Sequence, residues 1–113
     1  MSVYVSNIVI ESGTNFATTF EFEALIDESA YDLTNHTATA QLRKHYNSAT
    51  AVSFASTISS EVGGKVTIEL TSNQTSSLKQ GRYVYDLIVE NTLTGKISKL
   101  VEGSAIVRPG VTR

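Results

Sequence analysis

The sequence predicts an all-β protein built as one antiparallel sandwich of about seven strands. In the segment that follows Gly81, the large residues Tyr83, Tyr85, Leu87 and Val89 occupy every second position, and this period indicates a strand with one buried face. Turn-forming residues separate such runs about every 8–12 positions, and no long amphipathic helix is visible, which is the pattern of a sandwich. A chain of 113 residues is long enough for one domain with a substantial core.

The first third of the chain predicts two strands. Val3–Ile10 is the first, and a change of parity at Ser6 and Asn7 indicates a bulge or a switch between sheets. Phe16–Ile26 is the second, because every second residue is apolar or a threonine. Leu33, in the loop that follows, is expected to plug the core.

The middle of the chain predicts a third strand followed by a hairpin. Thr37–His45 is the third strand, with alternating small or apolar and polar residues. Val52–Ile58 and Lys65–Leu70 are joined by a turn that contains two consecutive glycines, which is a strong hairpin signal.

The last part of the chain adds one helical turn and two strands. A short helix is expected after residue 70, with Thr71 as its N-cap and with Thr75 and Leu78 facing inward. The tyrosine-containing strand follows, and Ile97–Val107 is the last strand or strand pair. Mixed parity around Gly103 predicts a bulge there.

The two tyrosines after Gly81 refine the fold class. A leucine three residues before a glycine, followed by a tyrosine strand, is how many immunoglobulin-like sandwiches lead into their central F strand. The predicted fold is therefore an immunoglobulin-like antiparallel β-sandwich, in which Tyr83 and Tyr85 are core or tyrosine-corner residues. Tyr4, Tyr31 and Tyr46 lie near strand ends and loops, where they are candidates for a contact surface.

Composition excludes several classes of protein. The chain has no cysteine, so disulfides and thiolate metal sites are excluded, which fits folding in a reducing cytoplasm. No signal peptide is visible at the start of the sequence, and no apolar run reaches the roughly 20 residues of a membrane helix. A net charge of -2 gives no reason to expect nucleic acid as a partner.

Charge is distributed unevenly along the chain. Residues 1–32 carry six acids and no Lys or Arg, whereas residues 33–113 carry all nine basic residues and five acids, so their formal charges are -6 and +4. One interpretation is ordinary solvated strand faces. The other is a molecule with an acidic side and a basic end, suited to head-to-tail contacts between copies.

No group of residues predicts catalysis. His36 and His45 lack the ligand spacing of a zinc site and stand beside no recognisable triad. Asp27, Glu28 and Asp32 share a loop without the regular spacing of a calcium loop, so a solvated turn is the simpler interpretation. We therefore expect a protein that is not an enzyme and that needs no metal or cofactor.

Several short motifs occur in an order that characterises a known family. They are Phe20-Glu21-Phe22, Asp32-Leu33-Thr34, Thr39–Arg43, Gly64–Leu70, Gln74-Thr75, Leu78, Gly81–Asp86, Glu102-Gly103 and Val107–Arg113. In order and spacing they resemble the immunoglobulin-like domains of tailed-phage virion proteins, above all the N-terminal domain of baseplate upper proteins and related small tail or neck proteins. The resemblance covers about residues 16–113, and it departs from the family at Asn35, where members often carry glycine.

This resemblance implies a structural part of a phage particle in the tail, baseplate or neck. The partners would be other virion proteins and further copies of the chain, without nucleic acid or membrane, and the protein would be made in the host cytoplasm and located in the virion. Two alternatives stay open: a capsid decoration protein, and a module that binds carbohydrate or a host surface. Family members usually continue into a fibre or receptor-binding region, so a chain that stops at Arg113 would be a free-standing module.

Assembly is expected to use edge strands and irregular ends. We expect residues 1–107 to form the sandwich and residues 108–113 to form an irregular C-terminal tail that clasps a neighbour. The candidate interface residues are Arg108, Pro109, Val111 and Arg113 in the tail, together with Tyr31 and Tyr46.

Overall fold

The computed structural model describes residues 4–22 and 32–111. These residues form nine strands and one short helix: β1 (Tyr4–Val5), β2 (Ile8–Glu11), β3 (Phe16–Glu21), β4 (His36–Arg43), β5 (Val52–Ser53), β6 (Ala55–Ser60), β7 (Lys65–Leu70), α1 (Ser72–Ser76), β8 (Gly81–Asn91) and β9 (Ile97–Arg108). The end of the predicted second strand, residues 23–26, lies outside the described residues.

The strands form two sheets that face each other, so the predicted immunoglobulin-like sandwich is confirmed. In the larger sheet, β1 and β2 both pair with one side of β9, and β8, β4 and β5 follow in that order. The smaller sheet has the order β3-β7-β6. All pairs are antiparallel except those of β1 and β2, which run parallel to β9.

The first strand is interrupted at Ser6 and Asn7, but the expected bulge or sheet switch there is wrong. Tyr4 pairs with Val101 and Ile8 pairs with Ala105, so one register continues across the gap. The Asn7 side chain replaces a main-chain carbonyl, because its Oδ1 accepts the Ser104 N–H at 3.0 Å. Val5, on the short strand before this interruption, is 76% exposed.

The last strand contains a bulge, although not where the sequence predicted it. The β8–β9 register shifts between the pairs Leu87–Val101 and Ile88–Lys99, which leaves Leu100 as the extra residue. Gly103 instead leaves room for the neighbouring strand, because a Cβ built on it would lie 2.1 Å from the Ser6 carbonyl oxygen. The first and last strands can approach this closely only because the residue is glycine.

The predicted strand Val52–Ile58 is two strands in different sheets. β5 pairs with β4 in the larger sheet, whereas β6 pairs with β7 in the smaller sheet. The chain crosses between them at Phe54, which is 5% exposed and whose N–H donates to the Ala40 carbonyl. Burial of this aromatic ring between the sheets fixes the point at which the chain changes sheet.

Two further local predictions, the buried plug Leu33 and the cap Thr71, are confirmed, whereas the third strand, predicted over Thr37–His45, ends at Arg43. Leu33 is fully buried, and the turn around it is closed by Asp32, whose Oδ1 accepts the Thr34 N–H at 2.9 Å. Asn35 has φ of 62°, a left-handed conformation that Asn tolerates better than most residues. Thr71 caps α1 in a capping box with Gln74.

The core fills the space between the sheets. It combines aliphatic residues from both sheets with three buried aromatic rings: Ile8, Ile10, Phe22, Leu33, Ala40, Leu42, Phe54, Val66, Ile68, Leu70, Tyr85, Leu87, Val89, Leu100, Val101, Ala105 and Val107. The strands therefore place their alternate residues on the two outer faces, and the loops gather at the two ends of the sandwich.

Candidate functional site

One end of the sandwich collects most of the basic residues. β4 ends here, β8 begins here and β9 ends here, as the pairing of Arg43 with Val84 and of Gly81 with Val107 shows. We call this the basic end and define it by five residues: Arg43, Lys44, Lys79, Arg82 and Arg108.

Carboxylates do not balance this charge. The acids of the described strands near this end are Glu11, Glu69 and Asp86, the last of which lines a cleft with Arg43 and Tyr46, so five cations face three carboxylates. Arg108 pairs with Glu11 at 3.5 Å, but the other four cations form no salt bridge among the described residues. A local excess of unpaired positive charge attracts acidic partners.

Lys44 and Tyr83 form a rigid part of the basic end. The Lys44 ammonium lies 4.8 Å from the centre of the Tyr83 ring, within the range of a cation–π contact. The Tyr83 hydroxyl donates to the Lys79 carbonyl at 2.8 Å, four residues upstream. This is the tyrosine corner of immunoglobulin-like sandwiches, and it confirms one of the two predicted roles for Tyr83.

Tyr46 stands beside this group in the loop after β4. Its side chain is 74% exposed, and it borders an open cleft of about 410 Å³ that Lys44, His45, Arg82 and Tyr83 also line. A second, smaller cleft under Tyr46 is lined by polar side chains of the larger sheet, among them Gln41, Arg43 and Asp86. An exposed ring between cations and polar groups is suited to binding an anionic or a polar surface.

The structure brings some of the predicted interface residues together. Arg108 and Tyr46 lie at the same end of the molecule, and Pro109 and Val111 are exposed directly after β9. β9 continues through Arg108, so the irregular segment begins at Pro109, one residue later than expected. Tyr31 and Arg113 lie outside the described residues.

Sequence reasoning missed the other cations as members of one surface. Lys44, Lys79 and Arg82 are separated along the chain and come together through the β4–β8 pairing. The only hint of the basic end in the sequence was the charge imbalance between residues 1–32 and residues 33–113. It indicated a region of positive charge but not where that region lies on the folded molecule.

The opposite end of the sandwich has an acidic excess. Glu21, Asp32, Glu61 and Glu90 lie there with Lys65 and Lys96, and Lys65 pairs with Glu21 at 3.6 Å. Hydrogen bonds from the Thr34 hydroxyl and N–H hold the pKa of Asp32 below its usual value. The molecule therefore has a basic end and an acidic end, and the strands run from one to the other.

The cation in the middle of the larger sheet is paired with carboxylates. Lys99 lies 3.5 Å from Asp86 and 3.5 Å from Glu102. Partial burial acts to lower the pKa of Lys99, but the two carboxylates outweigh it, so the pKa is raised and the side chain stays charged. Lys99 thus has carboxylate partners, whereas four of the five cations at the basic end have none among the described residues.

The candidate chemical residues do not converge on a site. Within residues 4–22 and 32–111, no three His, Asp or Glu side chains are grouped so that they could hold a metal ion. His36 Nδ1 lies 2.9 Å from the Thr34 carbonyl, and His45 is exposed in a separate loop. Asp27 and Glu28 lie outside the described residues. In the same part of the chain, no helix has the length and apolar content needed to cross a membrane.

Comparisons with known proteins do not assign a family. No protein-family profile matches the chain, and no curated protein matches it. Among solved structures, Listeria monocytogenes InlP is similar over 91% of this chain and 26% of its own, with 15% identity and a TM-score of 0.48. The NK cell receptor Nkp44 is similar over 96% of this chain and 100% of its own, with 12% identity and a TM-score of 0.45.

A third solved structure is a family 123 glycoside hydrolase from Clostridium perfringens. It is similar over 100% of this chain and 24% of its own, with 14% identity and a TM-score of 0.44. The chain thus spans about a quarter of the length of InlP and of the hydrolase.

Proposed function

We propose that this chain is a non-enzymatic structural protein of a bacteriophage particle, located in the tail, baseplate or neck. In this role it binds other virion proteins and further copies of itself. The resemblance of its motifs to tailed-phage immunoglobulin-like domains supports the proposal, and so does the sandwich fold that this resemblance implies.

The observation that carries the proposal is the basic end. Four of its five cations lack an ion pair among the described residues, and the exposed Tyr46 ring lies beside them. Exposed charge of one sign steers a protein toward an acidic partner and sets its orientation on that partner. An assembly protein needs this kind of surface, together with the exposed segment that follows β9.

Locating the protein on phage particles tests this proposal. A tagged chain is produced in the host during phage growth, and the particles are purified and labelled with gold against the tag. Label on the tail, baseplate or neck is the expected result. Label over the heads would instead indicate a capsid decoration protein, and purified particles without label would refute a virion role.

A matched pair of charge reversals tests the basic end. Arg82→Glu and Lys96→Glu each change the charge by the same amount on an exposed residue without an ion pair among those described, but at opposite ends of the sandwich. We expect Arg82→Glu to reduce incorporation into particles by about tenfold or more, and Lys96→Glu to leave it nearly unchanged. Equal effects would show that the basic end has no specific role.

The cleft beside Tyr46 supports a second candidate, a carbohydrate- or host-surface-binding module. An exposed aromatic ring above Gln41 and Asp86 combines an apolar platform with hydrogen-bonding groups, which polar ligands require. Replacing Tyr31 and Tyr46 with Ala would then abolish binding to host cells while incorporation into particles stays normal. Loss of incorporation alone would return the residues to the assembly surface.

A further inference from the structure

The two sheets have four outer edges, and three of them carry features that disfavour pairing with a further strand. β5 is an edge of only two residues. β1 and β2 form an edge that is interrupted at Ser6 and Asn7. β6 contains a register shift between Ile58 and Ser60. Short, broken or bulged edge strands are the means by which proteins avoid pairing with other chains.

The fourth edge, β3, has none of these features. It pairs without interruption with β7 over all six of its residues, and among the described residues no other strand pairs with it. It contains no Pro and no Lys. Its one charged residue, Glu21, is paired with Lys65.

Half of the main-chain groups of β3 point away from the sheet. The Phe22 N–H donates to the Gly64 carbonyl, and residues two apart in an antiparallel strand face the same neighbour. Ala17, Thr19 and Glu21 therefore direct their N–H and C=O groups outward, and all three side chains are exposed on the outer face. This edge is a template for one more antiparallel strand.

We propose that the strand that pairs with β3 is β3 of a second copy of this chain. In the antiparallel register centred on Thr19, Thr19 of one copy faces Thr19 of the other, and Ala17 faces Glu21. No like charges meet, and paired threonines are favourable neighbours. The two three-stranded sheets would then join into one six-stranded sheet.

The sequence of β3 favours a second copy over an unrelated strand. The register centred on Thr19 pairs residues 17–21 of one copy with residues 21–17 of the other, so the same strand supplies both sides of the contact. In this register Phe20, which is half-buried at the edge, faces Thr18 of the second copy, and Phe16 faces Phe22. Because a two-fold pair uses this edge in both copies, the assembly closes as a dimer and does not extend into a fibre.

This inference deepens the proposed assembly role and rests on it for its partner, a further copy of the chain. The β3 contact lies on a different surface from the basic end, and it depends on main-chain hydrogen bonds and not on charge. Main-chain hydrogen bonds make the contact, and no charged side chain of one copy faces a charged side chain of the other, so high salt should leave it intact, whereas contacts between the charged ends weaken as salt rises.

The test is the native mass of the intact protein at high concentration in about 1 M salt, where the Debye length is about 3 Å. We expect a dimer for the wild type and for Thr19→Val, which keeps a β-branched side chain. In a second measurement at about 0.1 M salt, where the Debye length is about 10 Å, we expect Thr19→Lys to weaken the dimer at least about tenfold relative to Thr19→Val, because two ammonium groups then face each other at the two-fold axis. A wild-type monomer at every concentration overturns the inference and leaves the edge to a strand of another protein.

Hydrogen exchange locates the contact without relying on a variant. The amides of Ala17, Thr19 and Glu21 should become protected as the wild-type concentration rises, while the amide of Ser56, on the bulged edge, should not. A dimer in which those three amides exchange as fast as in the monomer also overturns the inference.

The two proposals fail separately. A wild-type monomer that still labels phage tails would refute the β3 dimer and support the virion role. A dimer paired through β3 that never labels a particle would do the reverse.

Discussion

Two tyrosines on β8 connect the parts of the larger sheet in different ways. Tyr83 closes the corner before β8 through its bond to the Lys79 carbonyl. Tyr85, two residues later and only 3% exposed, donates to the Ser6 carbonyl at 2.5 Å and packs edge-on against Phe54. In disulfide-linked immunoglobulin domains the second cysteine follows the corner tyrosine at this spacing. Here a buried hydroxyl connects β8 to the interrupted first strand instead.

Tyr85→Phe tests the value of this hydroxyl. The ring and its contact with Phe54 are kept, but the Ser6 carbonyl loses its donor, so the free energy of unfolding should fall by about 0.5–1.5 kcal/mol. Urea denaturation measures the change. Tyr46→Phe, which alters an exposed hydroxyl without a hydrogen bond among the described residues, should change stability by less than about 0.5 kcal/mol.

The same residue predicts a pH dependence. Burial raises the pKa of Tyr85 above its ordinary value. The unfolded chain therefore loses this proton first, so the contribution of Tyr85 to stability is complete below about pH 10 and is lost as the pH rises above that value. Above pH 10, the free energy of unfolding should fall less in Tyr85→Phe than in the wild type. An equal fall in the two proteins would contradict this explanation.

At the scale of elements, the five-residue helix α1 is too short to be stable by itself. Its capping box satisfies its first turn, and Thr75 fixes it to the turn between β2 and β3. The Gly13 N–H donates to the Thr75 hydroxyl at 3.1 Å, and that hydroxyl donates to the Thr14 carbonyl at 2.8 Å. The helix thus holds the start of β3, the strand that carries the open edge.

Thr75→Val tests this connection with little change of shape. The substitution removes both hydrogen bonds and leaves two main-chain groups without partners beside a fully buried side chain, so we expect a loss of about 1–3 kcal/mol in the free energy of unfolding. Ser76→Ala removes an exposed bond to the Asn73 carbonyl and serves as the control. Equal effects of the two substitutions would show that Thr75 does not tie the helix to the turn.

At the scale of the whole molecule, charge and edges divide between different surfaces. The cations gather where β4 and β9 end, the acids lie at the other end, and the open edge of β3 runs along the smaller sheet. A contact between charged ends can therefore coexist with a dimer through β3. Measurements at different ionic strengths distinguish the charged contact from the β3 dimer, because salt screens exposed charges, over about 10 Å at 0.1 M.

Removal of residues 109–113 is predicted to leave the sandwich folded. Arg108 must be kept, because its carbonyl accepts the Ser12 N–H at 3.0 Å and its guanidinium pairs with Glu11. The exposed segment beyond it contributes no strand pairing in its described part, so thermal unfolding should be nearly unchanged while incorporation into phage particles decreases. If the shortened protein fails to fold, the segment belongs to the core structure and is not a clasp.

Local patterns in the sequence predicted most of the strands and most of the residues that face inward. Alternation after Gly81, the glycine pair before Lys65 and the cap at Thr71 are local signals, and local signals carry this information. They do not identify the neighbouring strand, because pairing joins residues far apart in the chain. The tertiary structure alone therefore decided that the chain changes sheet at Phe54, that the bulge falls at Leu100, that the cations meet at one end and that β3 is left with an open edge.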